Sequence, residues 1–151
     1  MGFLGFSRFF QRNQAGVVKD RRTNRRVAPT EGTTVLIVDD SRTIRRVMSG
    51  MLRQSGYQTL EAGDGVQGIE LARKHKPNLI FMDVMMPGMD GFQATRKLQT
   101  DVDTQDIPVI IISGNTQATI QSWVQKIGAR DFMAKPFERG EFFQRLESAI
   151  Y

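Results

Sequence analysis

The 151-residue chain contains no cysteine, which excludes a disulfide framework, thiolate zinc sites and a cysteine nucleophile. With His75 as its one histidine, histidine-rich metal centres are excluded as well. No apolar run approaches the ~20 residues needed to cross a bilayer. The start also fails as a secretory signal, because Arg8 and Arg12 interrupt the apolar stretch. These absences predict a cytoplasmic chain. From Thr33 onward there is no excess of charge of either sign, since 14 basic residues meet 14 acidic ones. The net charge of +5 therefore lies in residues 1–32, where seven basic residues face only Asp20 and Glu31. It describes an appendage, and no specific nucleic-acid-binding face is expected on the globular part.

What is present is a regular alternation. Val35 to Val38, Leu79 to Met82 and Val109 to Ile112 are continuous apolar runs, as in strands covered on both faces. Tyr57 to Leu60 is mixed and Phe132 to Ala134 short, so these two read as edge strands. Between the runs, Ile44, Val47, Met48, Met51 and Leu52 recur at helical spacing, with Ser41 where an N-cap belongs. Ile120, Trp123, Val124 and Ile127 repeat the pattern ahead of Gly128, a C-terminal stop. Phe142, Phe143, Leu146 and Ile150 mark the last helix, and segments 65–75 and 91–100 are bounded by Pro77 and Pro108. Five strands alternating with five helices predict an α/β fold: a doubly wound, five-stranded parallel sheet of order 2-1-3-4-5 with helices on both faces. The domain spans residues 33–151, preceded by a basic, Phe-containing extension over 1–32.

In such a sheet, ligands bind beyond the carboxyl ends of the strands. The residues at those ends are Asp39 and Asp40, Asp83, Ser113, and Lys135 followed by Pro136. Taken singly, each has an ordinary structural reading as a helix cap, a turn residue or a solvated charge. Together the acids need compensation, because two carboxylates about 4 Å apart repel by roughly 4 kcal/mol at an effective dielectric of 20. A hard divalent cation supplies it, and Mg²⁺ suits one or two carboxylates plus waters and substrate oxygens better than a fully caged Ca²⁺. Calcium stays open, since the EF-hand loop is absent but other oxygen sites exist. Three aspartates then balance Mg²⁺ and Lys135. Such a site suits phosphoryl transfer, with a carboxylate as nucleophile. Asp83, from the central strand, is the candidate phosphoacceptor, while Asp39 and Asp40 stand to one side as metal holders. Lys135 and the Ser113 hydroxyl are placed to meet the new phosphoryl oxygens.

From about Thr33 to Tyr151 the chain resembles a receiver domain of bacterial two-component response regulators, the chemotaxis-regulator type with its flavodoxin-like fold. The resemblance rests on VDDS at Val38 to Ser41, MDVMMPGMDG at Met82 to Gly91, ISG at Ile112 to Gly114 and AKPF at Ala134 to Phe137. It implies Mg²⁺ held by Asp39, Asp40, Asp83 and the backbone carbonyl of Met85. It implies phosphorylation of Asp83 by a histidine kinase, followed by self-dephosphorylation tuned at Met85 and Asn115. It further implies a cis bond before Pro136 that aims Lys135 into the site. Pro87 and Gly88 turn the chain away from Asp83, and Asp90 caps the next helix. A switch is expected through Ser113 and Phe132, where the family often has a tyrosine, acting on the face of the fourth helix, fifth strand and fifth helix.

The last helix ends at Tyr151, so output is expected through a protein partner rather than an attached effector module. VDDSRTIRR, GFQATRKL and QKIGARDFMAKPF are similar to single-domain receivers of twitching-motility systems acting on type IV pili. A phosphate sink or relay intermediate without its own output is the alternative. A haloacid-dehalogenase-type phosphatase is more distant, because Met85 stands where that family presents a second acid. In the leader, Phe3, Phe6 and Phe10 fall at i, i+3 and i+7 with arginines between. Residues 13–32 read as a disordered tail. Residues 1–12 offer a short amphipathic contact with a partner groove or the inner membrane surface.

Overall fold

The computed structural model of the protein describes residue 29, residues 31–114 and residues 118–151. The expectations for Phe3, Phe6, Phe10 and the rest of residues 1–12 lie outside the described residues. So does the Ile120 side chain.

In chain order the elements are β1 (Thr34–Val38), α1 (Arg42–Gln54), β2 (Gln58–Ala62), α2 (Gly65–His75), β3 (Leu79–Asp83), α3 (Gly91–Thr100), β4 (Val109–Ser113), α4 (Ala118–Lys126), β5 (Asp131–Ala134) and α5 (Arg139–Ile150). The strands pair in parallel in the order β2-β1-β3-β4-β5. Every residue of β3 and β4 is buried, which is why those runs are apolar at consecutive rather than alternate positions.

Period-two alternation along β1 assigns the helices to the two faces. Leu36 and Val38 join a cluster with Ile69, Ala72, Leu98 and Val124, so α2, α3 and α4 cover one face. Val35 and Ile37 join Met48, Leu52, Phe142 and Leu146, so α1 and α5 cover the other. On that second face Phe142 stacks on Phe81 at 4.8 Å and meets Phe143 edge-on at 5.1 Å. Each fully buried ring contributes about 1.5–3 kcal/mol from burial alone.

Local chemistry sets the boundaries. The Ser41 hydroxyl accepts the Ile44 N–H, and Asp64 and Asp90 accept the Gln67 and Gln93 N–H groups, so three helices open on side-chain caps. Gly128, expected as a helix stop, takes a φ of +86°, in the left-handed region where a side chain is strained.

Two residues expected on buried helix faces are exposed. Val47 is 54% and Trp123 46% accessible. On α1 the buried side is centred on Met48, Ser49 and Leu52, because the Ser49 hydroxyl donates to Glu61 on β2. That rotation carries Val47 outward. On α4, Val124 takes the inward position, as does Ile127 just beyond the helix, and Trp123 falls at the margin, toward α3. The second strand also starts after Tyr57 and runs on through Glu61 and Ala62.

Candidate functional site

Register gathers the expected residues at one end of the sheet. Val38 pairs with Met82, so Asp39 and Asp83 are the next residues of adjacent strands. Asp83 pairs with Ile112 and Ser113 with Ala134, which brings Ser113 and Lys135 to the same rim. The Lys135 N–H donates to the Ser113 carbonyl at 2.8 Å.

The side chains converge accordingly. Carboxylate oxygens of Asp39, Asp40 and Asp83 all lie within 4.8 Å of one another. The Lys135 ammonium donates to Asp39 Oδ2 at 2.9 Å and to Asp83 Oδ1 at 3.0 Å. Asp39 and Asp83 are buried, at 2% and 4% exposure, whereas Asp40 is exposed. The second oxygen of Asp39 accepts the Ser41 N–H at 2.8 Å, which ties the acid to the start of α1. Ser113 is fully buried. The Lys135–Pro136 bond is cis, as the resemblance implied.

Burial pushes the Asp83 carboxyl above the ordinary carboxylate range; the hydrogen bond from Lys135 opposes this and the charge of Asp39 adds to it. Burial by itself would lower the Lys135 ammonium. Its hydrogen bonds to Asp39 and Asp83 outweigh that effect, and its pKa rises. Three carboxylates against one ammonium leave a formal −2, the charge a divalent cation neutralises. All the converging donors are hard oxygens, one acid faces solvent and Lys135 occupies only one oxygen of each buried acid. The residues therefore fit Mg²⁺ with part of its water shell retained.

The other expected positions are more dispersed. Met85 stands in the turn after β3 with 73% of its surface exposed. Phe132 is half-buried on the edge strand, against the cluster containing Val124 and Ile127. Pro136 is exposed, and Asn115 lies outside the described residues.

Two further residues support the site. Arg45 donates through Nη1 to the Asp39 carbonyl at 2.7 Å and through Nε to Glu61 at 3.3 Å, bracing the end of β1. Its position one turn after Ser41 carries no signal separable from the other arginines of α1. Gly91 donates its N–H to the Val84 carbonyl at 2.9 Å, and a Cβ there would collide with the Asp83 carbonyl oxygen. A glycine directly after the Asp90 cap, where a helix gains nothing from glycine, does not by itself say which atom it must clear.

The chain matches the response regulator receiver domain family over residues 35–147. It is 41% identical over 116 residues to Protein PilH of Pseudomonas aeruginosa, covering 77% of this chain and 96% of PilH. It also matches transcriptional regulators of which it spans only about half the length. The Vibrio cholerae chemotaxis protein CheY4 superposes with a TM-score of 0.75 at 28% identity, over 78% of this chain and 98% of that one. The receiver domain of the sensor histidine kinase PA1611 from Pseudomonas aeruginosa, solved with a magnesium ion in its active-site cleft, gives 0.71 at 30% identity over 79% and 97%.

Proposed function

Because this chain belongs to the response regulator receiver family, we propose that it accepts a phosphoryl group on Asp83 from a histidine kinase and signals by binding a protein partner. One observation carries the reading. A buried carboxylate at the end of the central strand is held at 3.0 Å by an ammonium and crowded by two more acids.

A carboxylate oxygen of Asp83 attacks the phosphorus of a phosphohistidine. The P–O bond to Asp83 forms as the P–N bond breaks, and the electron pair leaves with the imidazole nitrogen, which takes up a proton. Lys135 keeps its ammonium on Asp83 and offsets the charge that grows from −1 toward about −2. Ser113 supplies a hydroxyl from the next strand end. Arg45 and Ser41 hold Asp39 still, so the acids need not reorganise during transfer. Mg²⁺, held by Asp39, Asp40, Asp83 and the Met85 carbonyl, would supply charge neutralisation on the phosphoryl oxygens. Hydrolysis of the aspartyl phosphate resets the site, with Met85 and Asn115 governing access of water.

Ser113 and Phe132 form the switch, and the face of α4, β5 and α5 carries the output. The similarity to twitching-motility receivers supports a role in type IV pilus or chemotaxis-like motility. Residues 33–151 form the receiver. Residues 1–32 form an extension of a cytoplasmic protein, with residues 1–12 as a membrane-surface or partner contact. Sedimentation with liposomes of full-length and Thr33-start proteins tests that last point, equal partitioning removing the membrane contact.

The chemistry is tested by incubation with acetyl phosphate or a cognate kinase, with and without Mg²⁺, followed by intact mass measurement. One added phosphoryl group is expected only with Mg²⁺ and only when Asp83 is present. Full modification of Asp83→Asn would refute the assignment.

A further inference from the structure

Between α3 and α4 lies an open groove of ≈ 530 Å³, lined by Phe92, Arg96, Lys97, Thr100, Trp123 and Ile127. Its floor is apolar: Ile127 is buried, Phe92 half-buried against the sheet, and Trp123 keeps 46% of its surface accessible. Its rim is cationic. Arg96 and Lys97 are exposed and form no ion pair with any described residue, and the Lys126 ammonium stands 5.1 Å from the centre of the Trp123 ring. None of the lining residues is acidic.

We propose that this groove is a docking site for an acidic amphipathic helix of a partner protein. A groove between two helices accepts the apolar stripe of a third, read through anchors spaced i, i+3, i+4 and i+7. Tryptophan and arginine are the side chains that most often dominate such contacts, because they combine large apolar area with directed polar groups. Charge selects the occupant. A basic helix is repelled by Arg96, Lys97 and Lys126, and a neutral one leaves those cations without partners at the rim, so acidic flanks are the complementary choice. The groove shares α4 with the face of α4, β5 and α5 but opens on its α3 side, where Phe92, Arg96 and Lys97 line it. It abuts α3, whose first residue Gly91 packs on the end of the strand bearing Asp83, so the occupant rests on an element continuous with the acid cluster.

Trp123 is the sole tryptophan of the chain, so the emission of the full-length protein reports on the groove directly. The probe is an amidated peptide about 15 residues long, leucine at helical spacing and glutamate elsewhere, with a lysine-for-glutamate counterpart. A saturable blue shift is expected with the acidic peptide, at an affinity at least about tenfold tighter than for the basic one. Arg96→Glu with Lys97→Glu weakens it by at least about tenfold, and the charge-neutral pair Arg96→Gln with Lys97→Gln gives the same direction should the reversal disturb folding. Arg42→Glu with Arg46→Glu, in the separate basic patch on α1, leaves it unchanged. Absence of a saturable shift, equal binding of the basic peptide, indifference to the Arg96 and Lys97 changes, or loss with the α1 pair each overturns the proposal.

Discussion

Replacing Lys135 by methionine keeps the apolar stem of the side chain and removes its ammonium, with the charge and both hydrogen bonds. The ammonium lies 2.9 and 3.0 Å from oxygens of Asp39 and Asp83, both nearly inaccessible to water. At 3 Å and an effective dielectric of 20, each contact is worth about 5.5 kcal/mol before desolvation is subtracted. Removing one partner of a buried pair typically destabilises by about 3–5 kcal/mol, since the charge left behind has lost its compensation. The Lys135 side chain is 23% exposed, so water can replace part of the interaction and the lower figure, about 3 kcal/mol, applies. For a domain of this size that is a fall in Tm of about 10 °C. The sign of the pH dependence follows from the two shifts. Asp83 has a folded pKa above 3.8, so its charged form opposes folding at neutral pH, and that opposition fades as pH drops through the raised value. Without Lys135 the value climbs further, and the gap between variant and wild type narrows on acidification. Lys135 itself, raised above 10.5, contributes fully below its unfolded pKa and loses that contribution only as pH rises through the folded one. Thermal unfolding by circular dichroism in Mg²⁺-free buffer from pH 8 to pH 5 measures all of this. A Tm within about 2 °C of wild type at neutral pH, or a deficit that does not shrink toward acid, would refute the argument. Adding Asp83→Asn to the variant should restore part of the loss, because one of the two stranded charges is gone.

Mg²⁺ should raise the wild-type Tm, by about 2.7 kcal/mol of stability at a hundredfold excess over Kd, and Asp40→Asn should abolish most of that gain in the same thermal assay. Gly91→Ala should lower the urea midpoint by the equivalent of about 3 kcal/mol, because its methyl meets the Asp83 backbone rather than a movable side chain. Gly140→Ala, in open space on α5, should instead stabilise by about 0.5–1 kcal/mol. Phe132→Ala should be phosphorylated normally yet lose the phosphate dependence of partner binding. Pull-down with acetyl-phosphate-treated protein tests it, and an unchanged dependence rejects the switch.

Element identity and sheet order were legible because the interior strands β1, β3 and β4 are covered on both faces and so leave continuous apolar runs, while the edge strands β2 and β5 read as mixed or short. The chain alternates these runs with 3.6-period segments and marks the joins with Ser41, Asp90, Pro77 and Pro108. The acids could be located for the same reason: Asp39 and Asp83 terminate such runs. Gly91 and Arg45 were not legible. One acts through an atom it lacks, the other through a carbonyl six residues earlier in the chain.

Periodicity along the chain thus decided by itself which residues would stand at the carboxyl ends of the strands, because that depends only on where each apolar run stops. Contact between side chains of different strands depends on register and burial, which no local pattern records. Only the folded chain brought the Lys135 ammonium onto both Asp39 and Asp83, 96 and 52 residues away in sequence. It alone turned Val47 and Trp123 outward, since the buried side of a helix is chosen by the neighbours it meets.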